Sequence, residues 1–371
     1  MTAAEARHIQ AALNRGDAGI SLAAGDFLIG QTLTVPFKVG GLMHGVSAGE
    51  YVRPRHPHRG SETVLKFEWD QGAEGSSILI EILGAYFSLR DLSIYGPHNG
   101  IEPSVGVKVR KLRPGIGAGK HRFSNVLVEH CDVAWQIADD AADNNCDCCA
   151  WENPTVRKTT TAWRSLGHQA MQHRVTHAVL QQCDTVLDVR GGGCWFFDDL
   201  AVMSSRSPEV RPTILRVEQT RFGDRGRASI GRTNGYYEVR NLKTDHKAGS
   251  VRLLDQVNDL PCCVRMIGGK VAEAPDAVVR GNGSLVIEGY SLLGPNMVRW
   301  CDETGTRART PNVTVRDCWV GHGVRNPWDL FDIDSSEGRI HARVENCWVY
   351  PGGEPLADYR GCVDAGKQES A

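Results

Sequence analysis

The sequence predicts an all-β chain wound as a single-stranded parallel β-solenoid, with a short helix over its first coil. Three observations carry this prediction. A four-residue pattern recurs along the chain, the residues around it alternate apolar and polar, and a turn-prone residue holds the same place in every copy.

The pattern reads apolar, polar, turn-prone, apolar. Copies stand at residues 89–92, 128–131, 197–200, 239–242, 287–290, 315–318 and 344–347, with 175–178 as an eighth. The third place holds Asp91, His130, His177, Asp199, Asn241, Gly289, Asp317 and Asn346. The fourth holds Leu92, Cys131, Ala178, Leu200, Leu242, Tyr290, Cys318 and Cys347. The closer copies suit one bare coil per repeat. The wider gaps suit a coil with a loop, or two coils with one copy unrecognised. A helical solenoid would place apolar residues at i, i+3, i+4 and i+7. Val313-Thr314-Val315-Arg316 and Arg343-Val344-Glu345-Asn346 alternate instead, as half-buried strands do.

The third place has a physical reason. A coil of strands bends at fixed corners, and a corner often needs φ above zero, which Gly, Asn and Asp tolerate best. Stacked Asn or Asp side chains can also bond to the backbone of the next coil. The fourth place then points inward and stacks on its equivalents, with Cys131, Cys318 and Cys347 as small apolar fillers.

The ends follow the same logic. Thr2-Ala3-Ala4-Glu5 reads as a capping box opening a helix with Ala6, Ile9 and Leu13 on one face, and Gly16 and Gly19 stop it. Such a helix covers the open apolar end of a solenoid. The expected division is a capping helix over 1–19, the coil over 20–353, and a polar cap or tail over 354–371. No Pro/Ser-rich linker divides the 371 residues, so one elongated domain is expected, and its 41 glycines suit many corners.

The run Ala11-Ala12-Leu13, Gly19-Ile20-Ser21-Leu22, Ala24-Gly25-Asp26-Phe27, Leu33-Thr34-Val35-Pro36 and Gly40-Gly41-Leu42 resembles the N-terminal cap and first coils of pectate-lyase-like right-handed β-helices. That group includes polysaccharide lyases, polygalacturonases and bacteriophage tailspikes. The resemblance covers roughly residues 5–350 and implies a right-handed coil. It is specific for architecture rather than activity, because this fold carries many functions.

Bulk properties narrow the partners. A net charge of −2 offers no basis for nucleic-acid binding. No stretch approaches the ~20 apolar residues of a membrane helix. No basic-then-apolar segment opens the chain, so no signal peptide is expected, and the 12 cysteines read as reduced thiols. The basic run Arg53-Pro54-Arg55-His56-Pro57-His58-Arg59 reads as a solvated loop, or as a contact for an acidic sugar or a neighbouring subunit.

Several clusters bear on chemistry. Cys146-Asp147-Cys148-Cys149 lacks the second pair of a structural zinc site, unless Cys131, His130 or His168 supplies it. It reads as a loop entering a strand, so no metal or cofactor is expected. Cys262 and Cys263 are adjacent on a strand and point to opposite faces. Asp198-Asp199 and Gly321-His322-Gly323 resemble polygalacturonase motifs, but lie several coils apart where inverting hydrolysis needs them adjacent.

The leading group is residues 328–334. With Phe331 and Ile333 inward, Asp332 and Asp334 project outward from one strand face, ~6.5–7 Å apart at the backbone. Such a pair can divide acid and base roles. Asp332, Asp334 and His322 are therefore the catalytic candidates. Trp328, Arg325 and Asp329 are the carbohydrate-binding candidates, the indole being able to stack on a sugar. The alternative is a plain polar strand face or a bound cation. For lyase chemistry Arg227, Arg232, Lys243 and His246 are available, while Tyr236, Tyr237 and Trp195 are sugar platforms or core residues.

Three functions remain open from the residues. The first is a virion-associated structural and recognition protein of tailspike, fibre or capsid-decoration type. It would be a homotrimer assembled in the host cytoplasm, touching other virion proteins and able to bind a host-surface glycan. The second is a polysaccharide lyase or glycoside hydrolase acting on an acidic glycan. The third is a cellular scaffold or adhesin-like solenoid without chemistry. The failed polygalacturonase pattern leans the reading away from an enzyme.

Overall fold

The computed structural model describes residues 3–37, 40–48, 62–68, 77–97, 104–112, 117–139, 146–167, 171–207, 209–218, 235–245, 247, 249–257, 262–280, 283–301, 310–333 and 339–364. The basic run 53–59, Arg227, Arg232, His168, His246 and Asp334 lie outside them.

The chain is a parallel β-helix with three faces. Strands such as Phe87–Tyr95, Arg122–Glu129 and Cys194–Ser204 lie on the first face and run round a corner onto the second. Strands such as Val133–Ile137, Thr213–Val217 and Arg252–Gln256 form the third. His173–Val189 runs along all three without interruption. Pairing between successive coils is parallel from end to end, as in Leu200↔Leu242 and Val315↔Val344. Period-two alternation puts Trp135, Trp163, Leu187 and Leu215 inside in register, and turns Gln136, Arg164, Asp188 and Arg216 to the outer face, where Asp188 is covered by Arg164 and Arg190. The inside is aromatic at mid-length. Phe123, Trp135, Trp151, Trp163, Trp195 and Phe197 are all buried, with neighbouring ring centroids 4.8–6.3 Å apart.

The repeat pattern is the first corner. All eight third-place residues have positive φ, from 52° at Asn346 to 68° at Gly289, and every fourth-place residue is buried. The register aligns Asp91, Asn125, Asn153, His177, Asp199, Asn241, Gly268, Gly289, Asp317 and Asn346 in one column. Two corrections follow. His130 belongs elsewhere: it stacks with Lys158 and Gln182, at φ 59°, 49° and 57°, in a second column where the chain leaves the second face. The copy the first column needs in that coil is Asn125-Val126, and Asn153 and Gly268 fill the other gaps. The amide ladder also runs side chain to side chain, rather than to backbone. Asn125 Nδ2 donates to Asp91 Oδ1 at 2.9 Å, and Asn153 Nδ2 to Asn125 Oδ1 at 3.1 Å.

Both ends are covered. Helix Ala3–Arg15 buries Ala6, Ile9 and Leu13 on the first coil and closes on Gly16 at φ 71°. Gln10 acts as a strand surrogate: its Nε2 donates to Thr34 O and its Oε1 accepts from Thr34 N, both at 2.8 Å. At the far end Tyr359–Asp364 pairs antiparallel with Arg339–Glu345, so residues 354–364 form a cap. None of the 12 cysteines is joined in a disulfide. Cys262 is buried beside half-exposed Cys263, as alternation requires. Cys146 and Cys149 point inward, while Cys148 between them occupies a left-handed corner at φ 58° rather than alternating along a strand.

Candidate functional site

Of the acidic group read from the sequence, Asp329 and Asp332 lie among the described residues. Phe331 and Ile333 are buried and Asp332 faces outward, where its Oδ2 lies 3.7 Å from Arg299 Nε. Asp329 has a local task. Its Oδ2 accepts the backbone N–H groups of Arg325 and Asn326, both at 2.7 Å, and so caps the short 3-10 helix Pro327–Leu330. Trp328 is half-buried against the core, with its ring centroid 6.0 Å from that of Tyr359 in an edge contact, so it anchors the C-terminal cap. His322 and Arg325 are exposed. No hydrogen bond or ion pair joins His322, Trp328 and Asp332 to one another among the described residues.

Other sequence candidates among the described residues have structural contacts. Asp199 is a corner residue whose Oδ1 accepts from Lys243 Nζ at 2.7 Å. Four coils separate Asp199 from Asp317 and the neighbouring Gly321, about 19 Å at ~4.8 Å per coil. Trp195 and Tyr237 are core residues. Tyr236 donates its hydroxyl to Glu238 Oε2 at 2.6 Å, and Arg240 and Arg265 meet the same carboxylate at 2.6 and 3.2 Å. Burial alone would raise Glu238, but those donors and charges hold it below the usual carboxylate range.

A cleft forms where the second corner changes construction. At His130, Lys158 and Gln182 a single left-handed residue turns the chain onto the third face. In the coils after Gln182 the same corner is made by loops. One leaves Ser204 and enters the strand at Thr213, the next joins Thr244 to Arg252, and the third joins Lys270 to Asp276. These loops wall a cavity of about 710 Å³ lined by Gln182, Ser204, Ser205, Arg206, Glu209, Val210, Arg211, Lys247, Gly249, Ser250 and Glu273. The lining spans four successive coils, about 14 Å along the axis. The volume suits a ligand of several rings.

The wall is held from behind. Asp184 Oδ1 accepts the backbone N–H groups of Arg206 and Ser207 at 2.8 and 3.1 Å, fixing the first loop. Ser250 Oγ donates to Ala274 O at 2.7 Å, tying the second loop to the third. Arg211 Nη1 pairs with Asp276 at 2.7 Å, and Arg206 Nη1 donates to the neutral hydroxyl of Thr160 at 2.9 Å. Among the described residues the side chains of Arg206 and Lys247 have no carboxylate partner, and those of Glu209 and Glu273 no cationic one. The cleft thus offers charged donors and acceptors with capacity left for a ligand, a composition that matches the hydroxyls and carboxylates of a sugar chain. The sequence reading missed it because loop residues from four coils share no spacing.

A coil with columns of left-handed corner residues, inward stacks and capped ends is a right-handed parallel β-helix. Solved structures agree. The catalytic unit of a thermostable GH87 α-1,3-glucanase from Streptomyces thermodiastaticus strain HF3-3 is similar with a TM-score of 0.55 and 11% identity, covering 95% of this chain and 68% of that one. The catalytic domain of a GH87 α-1,3-glucanase in complex with nigerose gives 0.52 and 12% identity, covering 91% of this chain and 66% of that one. This chain therefore spans about two thirds of each. No protein-family model and no curated protein matches the chain.

Proposed function

We propose that the chain is a polysaccharide-recognition β-helix that holds a glycan along the four-coil cleft. The observation that carries this is the ~710 Å³ groove, lined by Arg206, Lys247, Glu209 and Glu273, on a fold shared with a glucanase catalytic domain bound to nigerose. Arg206 and Lys247 would donate to sugar hydroxyls or carboxylates, and the two glutamates would accept from hydroxyls. The test is calorimetric binding of neutral and uronate-bearing polysaccharides. Wild type should bind at least one, and the pair Arg206→Ala, Lys247→Ala should weaken it at least tenfold. Unchanged binding in that double variant would remove the cleft from the function.

One observation favours hydrolysis as well as binding. Glu209 and Glu273 stand two coils apart with Lys247 on the coil between, so their backbones are about 10 Å apart along the axis. Inverting hydrolases place their carboxyl groups ≈6.5–9.5 Å apart, one protonating the leaving oxygen and the other taking a proton from the attacking water. New reducing ends that disappear in both Glu209→Gln and Glu273→Gln, but persist in Asp332→Asn, would support this pair. Loss in Asp332→Asn alone would move the chemistry to the acidic group read from the sequence.

A further inference from the structure

The cleft ends in the coil that carries Glu273, and in the next coil a different surface begins. Ser291 and Leu292 follow the inward Tyr290 there; Trp319 and Trp348 follow the inward Cys318 and Cys347 in the two coils after it. The register pairs Trp319 with Trp348 and Val320 with Val349, which turns both indoles outward on the second face. Their ring centroids are 5.8 Å apart at 34°. Trp319 is 41% exposed and Tyr350 53% exposed. Ser291, Leu292, Trp319 and Tyr350 line an apolar pocket of about 380 Å³. Leu292 sits at φ 63°, in a backbone region that favours glycine.

We propose that Trp319, Trp348 and Tyr350 form a stacking platform for pyranose rings, extending the cleft so that one glycan chain runs over both. This rests on the polysaccharide reading of the cleft. Flat aromatic faces exposed in consecutive coils match the apolar C–H face of a sugar, while its hydroxyl edge stays in water or meets Ser291. Position favours the same occupant, since the platform starts in the coil directly after the cleft. Size argues against a protein partner. A stable interface needs ≈800 Å² per side, far more than a four-residue pocket supplies, whereas ligand sites begin near 300 Å³. From Gln182 to Trp348 the combined path covers seven coils, about 29 Å along the axis.

The experiment compares a short oligosaccharide, long enough only for the cleft, with a long one of the same polysaccharide, by calorimetry and by mass. Trp319→Ala and Tyr350→Ala should each weaken the long chain about tenfold and leave the short chain unchanged. Trp319→Phe should keep most of the long-chain affinity. Equal losses for both lengths, or none for either, would overturn the platform while leaving the cleft standing. So would a fall in particle mass in Trp319→Ala, which would make this face a contact between copies. If wild type binds no glycan of any length, the cleft reading fails and the platform falls with it.

Discussion

Two buried histidines make this protein acid-labile by a calculable amount. His121 and His173 are both 0% exposed and occupy the same inward place in alternate coils, with Cys149 between them. His121 Nδ1 accepts the backbone N–H of Phe87 at 3.1 Å, and His173 Nδ1 that of Cys149 at 3.3 Å. Neither Nε2 has a hydrogen-bond partner among the described residues. Burial pushes His121 down to about 4 and His173 to about 3 from the ordinary 6.5, and the charge of His121 would lower His173 further. Both are therefore neutral in the folded chain. Below pH 6.5 the unfolded chain binds protons that the folded chain refuses, so stability falls with pH until the folded groups protonate. Each proton contributes a slope of ~1.4 kcal/mol per pH unit. Between pH 6.5 and 4 that is ~3 kcal/mol per histidine, a large part of the ~5–15 kcal/mol that holds a domain together. The assay is urea unfolding followed by circular dichroism at pH 7.5, 6.5, 5.5 and 5.0. Wild type should lose stability steeply below pH 6.5. His121→Asn with His173→Asn, which keeps an acceptor for each N–H but cannot titrate, should flatten that fall by ~3–4 kcal/mol at pH 5. Parallel curves for wild type and variant would refute the reasoning.

Other outcomes are checked by similar means. Burial would raise Glu129, but hydrogen bonds from His130 and Lys158 and the charge of Arg157 outweigh it and hold it at about 2. Its contribution is present above pH 4.5 and is lost as pH falls toward 2, a window that begins where most of the histidine loss is already complete, and Glu129→Gln should cost roughly 3 kcal/mol in chemical denaturation at pH 7. Gly269→Ala would set its Cβ 2.4 Å from Tyr290 Cε1, so its unfolding free energy from urea titration should drop by roughly 2–3 kcal/mol. At the φ 55° corner, Asn241→Val should lose ~1–3 kcal/mol while Asn241→Gly stays near wild type, as thermal unfolding will show. If the chain assembles as the homotrimer expected of a tailspike-like protein, light scattering will give ~120 kDa, three times the 40.6 kDa chain, and a monomer mass would refute that assembly.

The candidate sites were unequally legible in the sequence. The platform had a visible signal: Cys318-Trp319-Val320 and Cys347-Trp348-Val349 repeat, and a residue next to an inward cysteine on a strand must point out. The cleft had none, because Glu209, Lys247 and Glu273 meet only when three loops of different length stack. Asp329 looked like a sugar ligand beside Trp328, but whether a carboxylate caps a helix or faces solvent depends on local backbone that composition does not reveal. His130 shows a related limit. Both corners need a left-handed residue followed by an inward one, so residues 128–131 imitate the first-corner pattern while belonging to the second.

The residues by themselves determined the coil. Alternation sets which side chains point inward, and the energetic cost of positive φ favours Asp, Asn, Gly and His at the first corner, so fold class, capping helix and buried columns could all be read from local chemistry. Only the tertiary structure decided which corner each copy serves, how many coils separate two residues, and which loops share a wall. Those depend on loop length accumulated over distant parts of the chain, and no local preference records that sum.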